Sequence, residues 1–128
     1  MGQAEEELVA PSEFSEGEVK ALKNFVAEEV LRRVTQRFGG VSGTTVAVMD
    51  RPLLPTLMIA TVVGDTSGLI KITLLRDVDH VLDSITLTYW LLEAKRGPSG
   101  LRVSVAVEPE RKEGIMFTVE GVINSGKA

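Results

Sequence analysis

The spacing of hydrophobic and polar positions divides the chain into one helical segment followed by a series of strands. Between residues 19 and 38 apolar residues recur every three or four positions, which is the spacing of one helix face, and charged residues fill the other faces. The pattern predicts an amphipathic helix of about six turns. Its apolar positions are Val19, Leu22, Phe25, Val26, Val30, Val34 and Phe38.

Both ends of this helix carry sequence signals. Ser15 and Glu18 have the S-x-x-E spacing of a capping box, and Phe14 and Val19 occupy the two positions of a hydrophobic staple. The glycines at 39 and 40 supply the left-handed conformation that ends many helices. We therefore predict a helix that begins just after Ser15 and ends near residue 38.

After residue 43 the apolar period shortens to that of β-strands. Residues 57–63 are almost continuously apolar, which is typical of a strand buried on both faces, and the later segments alternate between apolar and polar residues. Polar turns at 64–68 and 95–100 predict hairpins, while residues 77–83 form either one helical turn or a loop. The predicted strands span residues 44–50, 57–63, 69–75, 85–92, 101–107 and 115–123.

One helix followed by a run of short strands predicts an α+β fold, in which the long N-terminal helix packs on a curled antiparallel sheet. A chain of 128 residues, 44% of them hydrophobic, supplies one core of ordinary size. Residues 1–13 contain an acidic cluster and no apolar period, so we expect a mobile acidic tail there. The single domain is then predicted to span residues 14–128.

The formal net charge of −4 is unevenly distributed. Residues 1–18 hold six glutamates and no basic residue, so the rest of the chain has 12 acidic and 14 basic side chains and a net charge of about +2. This mildly basic body is compatible with a polyanionic partner but falls short of a strong positive patch.

The composition also limits the cellular context. The chain contains no cysteine, which excludes disulfides, thiolate metal sites and cysteine nucleophiles. No apolar run reaches the ~18 residues of a membrane-spanning helix, and the acidic start lacks the features of a secretory signal. We therefore expect a cytoplasmic protein without membrane association. Many Val, Glu and Arg residues hint at a thermophilic source.

The residues that carry enzymatic chemistry are scarce. The one histidine, His80, lies in the segment 77–83 beside Asp77, Asp79 and Asp83, whose carboxylates suit a divalent cation but match no known metal motif. No serine stands in a nucleophile elbow. We expect a non-enzymatic protein with no cofactor and no metal, and a hydrolase with metal at 77–83 is the minor alternative.

One segment resembles a known family. The sequence ATVVGDTSGLIKITLL, residues 60–75, is similar to the second and third strands of nucleic-acid-binding OB-folds of the replication-protein-A and archaeal single-strand-binding type. Residues 83–105 are similar to the next hairpin of that family. The resemblance, over about residues 60–105, implies an OB-like small β-barrel and a function in binding single-stranded nucleic acid.

The resemblance also implies a binding surface on the polar sides of the strands. Single strands are held by aromatic rings that stack on bases and by cations near the phosphates. Trp90 is the candidate stacking residue. The complete set of predicted nucleic-acid-binding residues is Lys71, Thr73, Trp90, Lys95, Arg96 and Arg102.

Two alternatives stay open from the sequence. The N-terminal helix must bury its apolar stripe on one side of the sheet, so it is able to cover Trp90, whereas Tyr89 and Phe117 are predicted core residues. The chain is alternatively a protein-interaction or homo-oligomeric assembly subunit. It would then use the N-terminal amphipathic helix and the sheet edge, with self-association through the helix at residues 19–38.

Overall fold

The computed structural model describes residues 6–37, 46–48, 51–53, 57–109 and 116–123. A long helix is followed by a β-meander, and a short strand and one 3₁₀ turn precede the helix. In chain order the elements are β1 (Glu7–Leu8), a 3₁₀ helix (Pro11–Glu13), α1 (Glu16–Arg37), β2 (Val46–Val48), β3 (Arg51–Leu53), β4 (Leu57–Gly64), β5 (Ser67–Asp77), β6 (His80–Gly97), β7 (Gly100–Pro109) and β8 (Phe117–Ile123).

The main sheet is an antiparallel meander in which each strand from β4 to β8 pairs with the next. β6 extends beyond the end of β5, and β1 pairs with that extension, with Glu7 opposite Arg96 and Leu8 opposite Lys95. β2 and β3 pair with each other in a separate ladder. Within the described residues, β4 and β8 are therefore the two edges of the sheet.

The hydrophobic core lies between α1 and one side of this sheet. Leu22, Val26 and Val30 of the helix stripe are fully buried, and each contributes about 1.5–3 kcal/mol by this burial. The helix lies next to both β4 and β8. Five strands span roughly 19 Å and a helix is only ~10 Å wide, so the sheet curls around α1.

The predicted α+β fold, a long helix packed on a curled antiparallel sheet, is confirmed. The expectation of an OB-like closed barrel is wrong for the described strands, because β4 and β8 do not pair with each other. The helix explains the difference. Its apolar stripe already covers the side of the sheet that barrel closure would otherwise cover.

The strand boundaries depart from the sequence prediction in the hairpins. β5 and β6 continue through the segment 77–83 and leave a two-residue turn at 78–79, so this segment is not a helical turn. β6 likewise continues through residues 95–97, with a bulge between Leu91 and Glu93. The predicted helix end at residues 38–40 lies outside the described residues.

Residues 7–9, within the segment predicted as an acidic tail, lie against β6. The N–H of Val9 donates to the carbonyl oxygen of Ala94 at 2.9 Å, and the Val9 side chain is 6% exposed within the core. Val9 is the one buried residue of the described segment 6–13.

Candidate interaction surface

The two faces of the sheet differ in what covers them. In β5 the side chains of Ile70 and Ile72 lie in the core, so Lys71 between them points to the opposite side, because successive side chains of a strand alternate. In β6 Tyr89 lies in the same core, so its neighbour Trp90 also points away from α1. We call the side that faces α1 the inner face and the opposite side the outer face.

Five of the six predicted nucleic-acid-binding residues share the outer face, and Arg96 does not. Lys95 stands directly opposite Arg102 in the β6–β7 ladder, and their neighbours Ala94 and Val103 lie in the core. The five outer-face residues are Lys71, Thr73, Trp90, Lys95 and Arg102.

Trp90 lies near the middle of the outer face, so the interpretation in which α1 covers it is wrong. It stands opposite Ser67 on β5 and Ala106 on β7. Ala106 is 1% exposed although it lies on the outer face, between its cross-strand neighbours Trp90 and Thr118. The indole itself is half-buried, which leaves part of the ring accessible to a ligand.

Arg96 points to the inner side, where its Nη2 donates to Oε2 of Glu18 at 2.7 Å. Glu18 is 3% exposed, and its Oε1 accepts the N–H of Ser15 at 2.9 Å, so the predicted capping box is confirmed. Burial raises the pKa of Glu18, but the hydrogen bonds from Arg96 and Ser15 outweigh it and bring the pKa below its ordinary value. Arg96 therefore ties β6 to the start of α1.

The cations at the β1 end of the outer face have acidic neighbours. Nη2 of Arg102 lies 3.0 Å from Oε2 of Glu6, and Nζ of Lys95 lies 4.0 Å from Oε2 of Glu93. A shallow depression at this end is lined by residues of both signs, namely Glu93, Lys95, Arg102, Val103, Ser104 and Glu120. This end of the outer face is therefore close to neutral and does not form a positive patch.

The β4 end of the outer face carries exposed aliphatic side chains on either side of a polar pair, Thr61 opposite Lys71. Four aliphatic side chains there are 41–62% exposed, and we call them the aliphatic patch: Leu57, Ile59, Val63 and Leu69. Val63 stands directly opposite Leu69. The prediction that residues 57–63 are buried on both faces is wrong, because α1 covers only the inner one. The sequence indicated this patch, because residues 57–63 are apolar on both sides and the one predicted helix covers only one face of the sheet.

The two edges of the sheet also differ. At the β8 edge, Arg33 donates to the carbonyl oxygen of Thr118 at 3.4 Å and lies 5.4 Å from the centre of the Phe117 ring. Glu120 adds a charge to β8, whereas β4 has no charged residue. Within the described part of the chain, only β5 pairs with β4. An edge strand exposes unpaired main-chain groups, and charges usually protect it from other strands.

The predicted alternative metal site is a hairpin turn. Asp77 Oδ1 accepts the N–H of Asp79 at 2.9 Å and lies 2.6 Å from Nδ1 of His80. The hydrogen bond from His80 is the main cause that holds the pKa of Asp77 below its ordinary value. No group of three metal-ligating side chains occurs among the described residues. The Asp77 carboxylate thus closes the β5–β6 turn.

Comparison of the chain with protein-family models, with curated proteins and with solved structures finds no match. The OB-fold resemblance therefore stays a prediction from the sequence. In the portion of the chain that the structure describes, no helix has both the length and the apolar character needed to cross a bilayer.

Proposed function

We propose that this chain is a non-enzymatic protein-interaction module that receives a polypeptide strand at the β4 edge, beside the outer aliphatic side chains of that strand. The supporting observation is the combination at β4 of an uncharged edge with exposed aliphatic side chains on the outer face. An added strand hydrogen-bonds with the unpaired main-chain groups of β4, and its outer-face side chains pack beside those of β4.

A strand-probe peptide tests this proposal. The probe is a labelled peptide of alternating Thr and Val, N-methylated along one edge so that it does not self-associate, and its binding is followed by fluorescence anisotropy. We expect Ile59→Lys to weaken binding by about tenfold or more, because a lysine on an edge strand must be desolvated when a second strand packs against it.

Val122→Lys is the matched control for Ile59→Lys. Val122 lies on the outer face of the other edge strand and is 51% exposed, compared with 45% for Ile59, so both substitutions add the same charge at similar exposure. Circular dichroism checks that both variants fold. Equal affinity of the probe for both variants, or no binding to the unmodified protein at concentrations where it is monomeric, contradicts the proposal.

A second candidate function, the binding of single-stranded nucleic acid, is favoured by the position of Trp90. The half-buried indole lies on the outer face with Lys71 and the hydroxyls of Thr86 and Thr88. Base stacking on an aromatic ring contributes about 1–3 kcal/mol per base. Glu6 and Glu93 compete with phosphates for Arg102 and Lys95, so this candidate depends chiefly on Trp90 and Lys71.

Fluorescence of the single tryptophan measures this candidate directly. We expect oligonucleotides of roughly ten deoxythymidines or uridines to quench Trp90, with an affinity that falls as salt rises. Lys71→Gln should weaken binding several-fold, whereas Lys20→Gln on the exposed side of α1 should leave it unchanged. Unchanged fluorescence at low salt, when acrylamide does reach Trp90, rules this candidate out.

A further inference from the structure

We propose that the strand received at β4 is the β4 strand of a second copy, so that two chains form one continuous antiparallel sheet. This inference rests on the proposed interaction function and names its partner. A two-fold symmetric contact uses the same surface of both chains, so this surface must be complementary to itself.

The charge distribution at β4 favours a second copy. All eight residues of the strand are uncharged, so two copies meet there without like-charge repulsion. A different protein that bound through charge complementarity would need charged residues on β4, and β4 has none. The β8 edge is less suited to pairing with its own copy. Glu120 of each chain would add a like charge there, and Arg33 already donates to the carbonyl oxygen of Thr118.

The pleat of β4 restricts the register of such a dimer. Residues directly opposite each other in an antiparallel pair point to the same face. The outer-face residues of one copy must therefore stand opposite outer-face residues of the other. This requires one residue of β4 to stand directly opposite its own copy, with the two-fold axis between the two. Ala60 and Thr61 are the two residues nearest the centre of β4.

The two possible registers differ in the partner of Leu57. An axis at Ala60 places Leu57 opposite Val63 and Ile59 opposite Thr61 on the outer face. An axis at Thr61 places Ile59 opposite Val63 but brings Leu57 level with Asp65, which puts a carboxylate against an apolar side chain. The geometry thus favours the register centred on Ala60.

The helix offers a poorer surface for self-association. The predicted contact through residues 19–38 needs an exposed apolar stripe, but Leu22, Val26 and Val30 are fully buried against the sheet of their own chain. A second copy would have to displace that sheet to reach them. The β4 edge requires no such displacement within the described residues.

Sedimentation over a range of concentrations tests the dimer with the full chain. We expect a monomer–dimer equilibrium for the unmodified protein, and a dissociation constant at least about tenfold higher for Ile59→Lys. Val122→Lys should dissociate like the unmodified chain. Circular dichroism again verifies the fold of each variant.

A disulfide tests the register. The chain has no cysteine, so each single-cysteine variant reports on one position. Directly opposite residues have Cα atoms about 4.5–5.5 Å apart, which is within the range that a disulfide bridges. Ala60→Cys should cross-link under mild oxidation, whereas Thr61→Cys, which stands opposite Ile59 in this register, and Val122→Cys, on the other edge, should not. Cross-linking of Val122→Cys instead of Ala60→Cys overturns the proposal.

The strand-probe peptide separates this inference from the function on which it rests. A chain that is monomeric at every concentration but binds the Thr–Val peptide overturns the second copy and leaves the interaction function standing. A monomeric chain that does not bind the peptide overturns both. A dimer that is unaffected by Ile59→Lys overturns the β4 contact.

Discussion

Gly64→Ala is expected to lower the free energy of unfolding by about 3 kcal/mol, because the β4–β5 hairpin requires a glycine at this position. Gly64 has a φ of 122°, a region that side-chain-bearing residues rarely adopt. An added Cβ would lie inside the contact distance of the Ser67 carbonyl oxygen and 3.0 Å from Cα of Gly68. Both neighbours are main-chain atoms of the same turn, so neither yields by a side-chain rotation.

Gly97→Ala, in the β6–β7 hairpin, is the matched control. Its added Cβ would lie 3.2 Å from Cγ of Glu6, a side-chain atom that can shift without moving the main chain, although Oε2 of Glu6 pairs with Arg102. We expect this change to alter stability by less than about 1 kcal/mol. Denaturant unfolding of both variants measures the difference, and thermal unfolding should show Gly64→Ala melting roughly 10 °C lower. Equal stability of the two variants would contradict the argument.

The parts of the fold that depend on local interactions were predictable from the sequence. The capping box joins Ser15 to Glu18 three residues away, and the helix stripe follows from its period alone. The alternation in β5 likewise placed Lys71 and Thr73 on one face and Ile72 on the other, as the structure shows. Each of these features is determined by residues close together in the chain.

The parts that depend on distant residues were not predictable. Arg96 was expected near phosphates, but its partner Glu18 lies 78 positions earlier in the chain, and no periodicity relates the two. Closure of the sheet depends on whether β4 pairs with β8, two strands that are far apart in the chain and that both contact α1. The apolar run at 57–63 predicted burial on both faces of the strand, whereas the outer-face side chains of Ile59 and Val63 are exposed.

This last difference carries the functional argument. An apolar pattern that the chain's own fold does not bury is a conflict between local sequence and structure, and such conflicts concentrate at functional sites. In the proposed dimer, the outer aliphatic side chains of β4 gain lateral neighbours from the second chain that they lack in a monomer.

Arg96→Met is expected to destabilise the protein by about 2–3 kcal/mol at neutral pH. The substitution keeps most of the side-chain volume but leaves the Glu18 carboxylate, 3% exposed, without its cationic partner. Removing one partner of a fully buried pair costs about 3–5 kcal/mol. The Arg96 side chain is 40% exposed, so water reaches the remaining carboxylate and lowers this cost.

The pH dependence distinguishes this ion pair from simple packing. Since the pKa of Glu18 is lower in the folded protein than its ordinary value of 4.5, the pair stabilises the fold above about pH 4.5. That stabilisation disappears as the pH falls through the folded-state pKa. The difference in unfolding free energy between the unmodified protein and Arg96→Met should therefore shrink on acidification below pH 4.5.

Arg102→Met is the control for the loss of an arginine from this region. Arg102 pairs with Glu6 at 3.0 Å, but its side chain is 62% exposed, so we expect a loss below about 1 kcal/mol.

The double variant Glu18→Gln/Arg96→Met should recover part of the stability that Arg96→Met loses, because an uncharged amide is less costly to bury than an unpaired carboxylate. Urea unfolding of these variants at pH 7 and near pH 3 measures all of these differences. A loss for Arg96→Met that is independent of pH would show that its packing, and not its charge, holds α1 to β6.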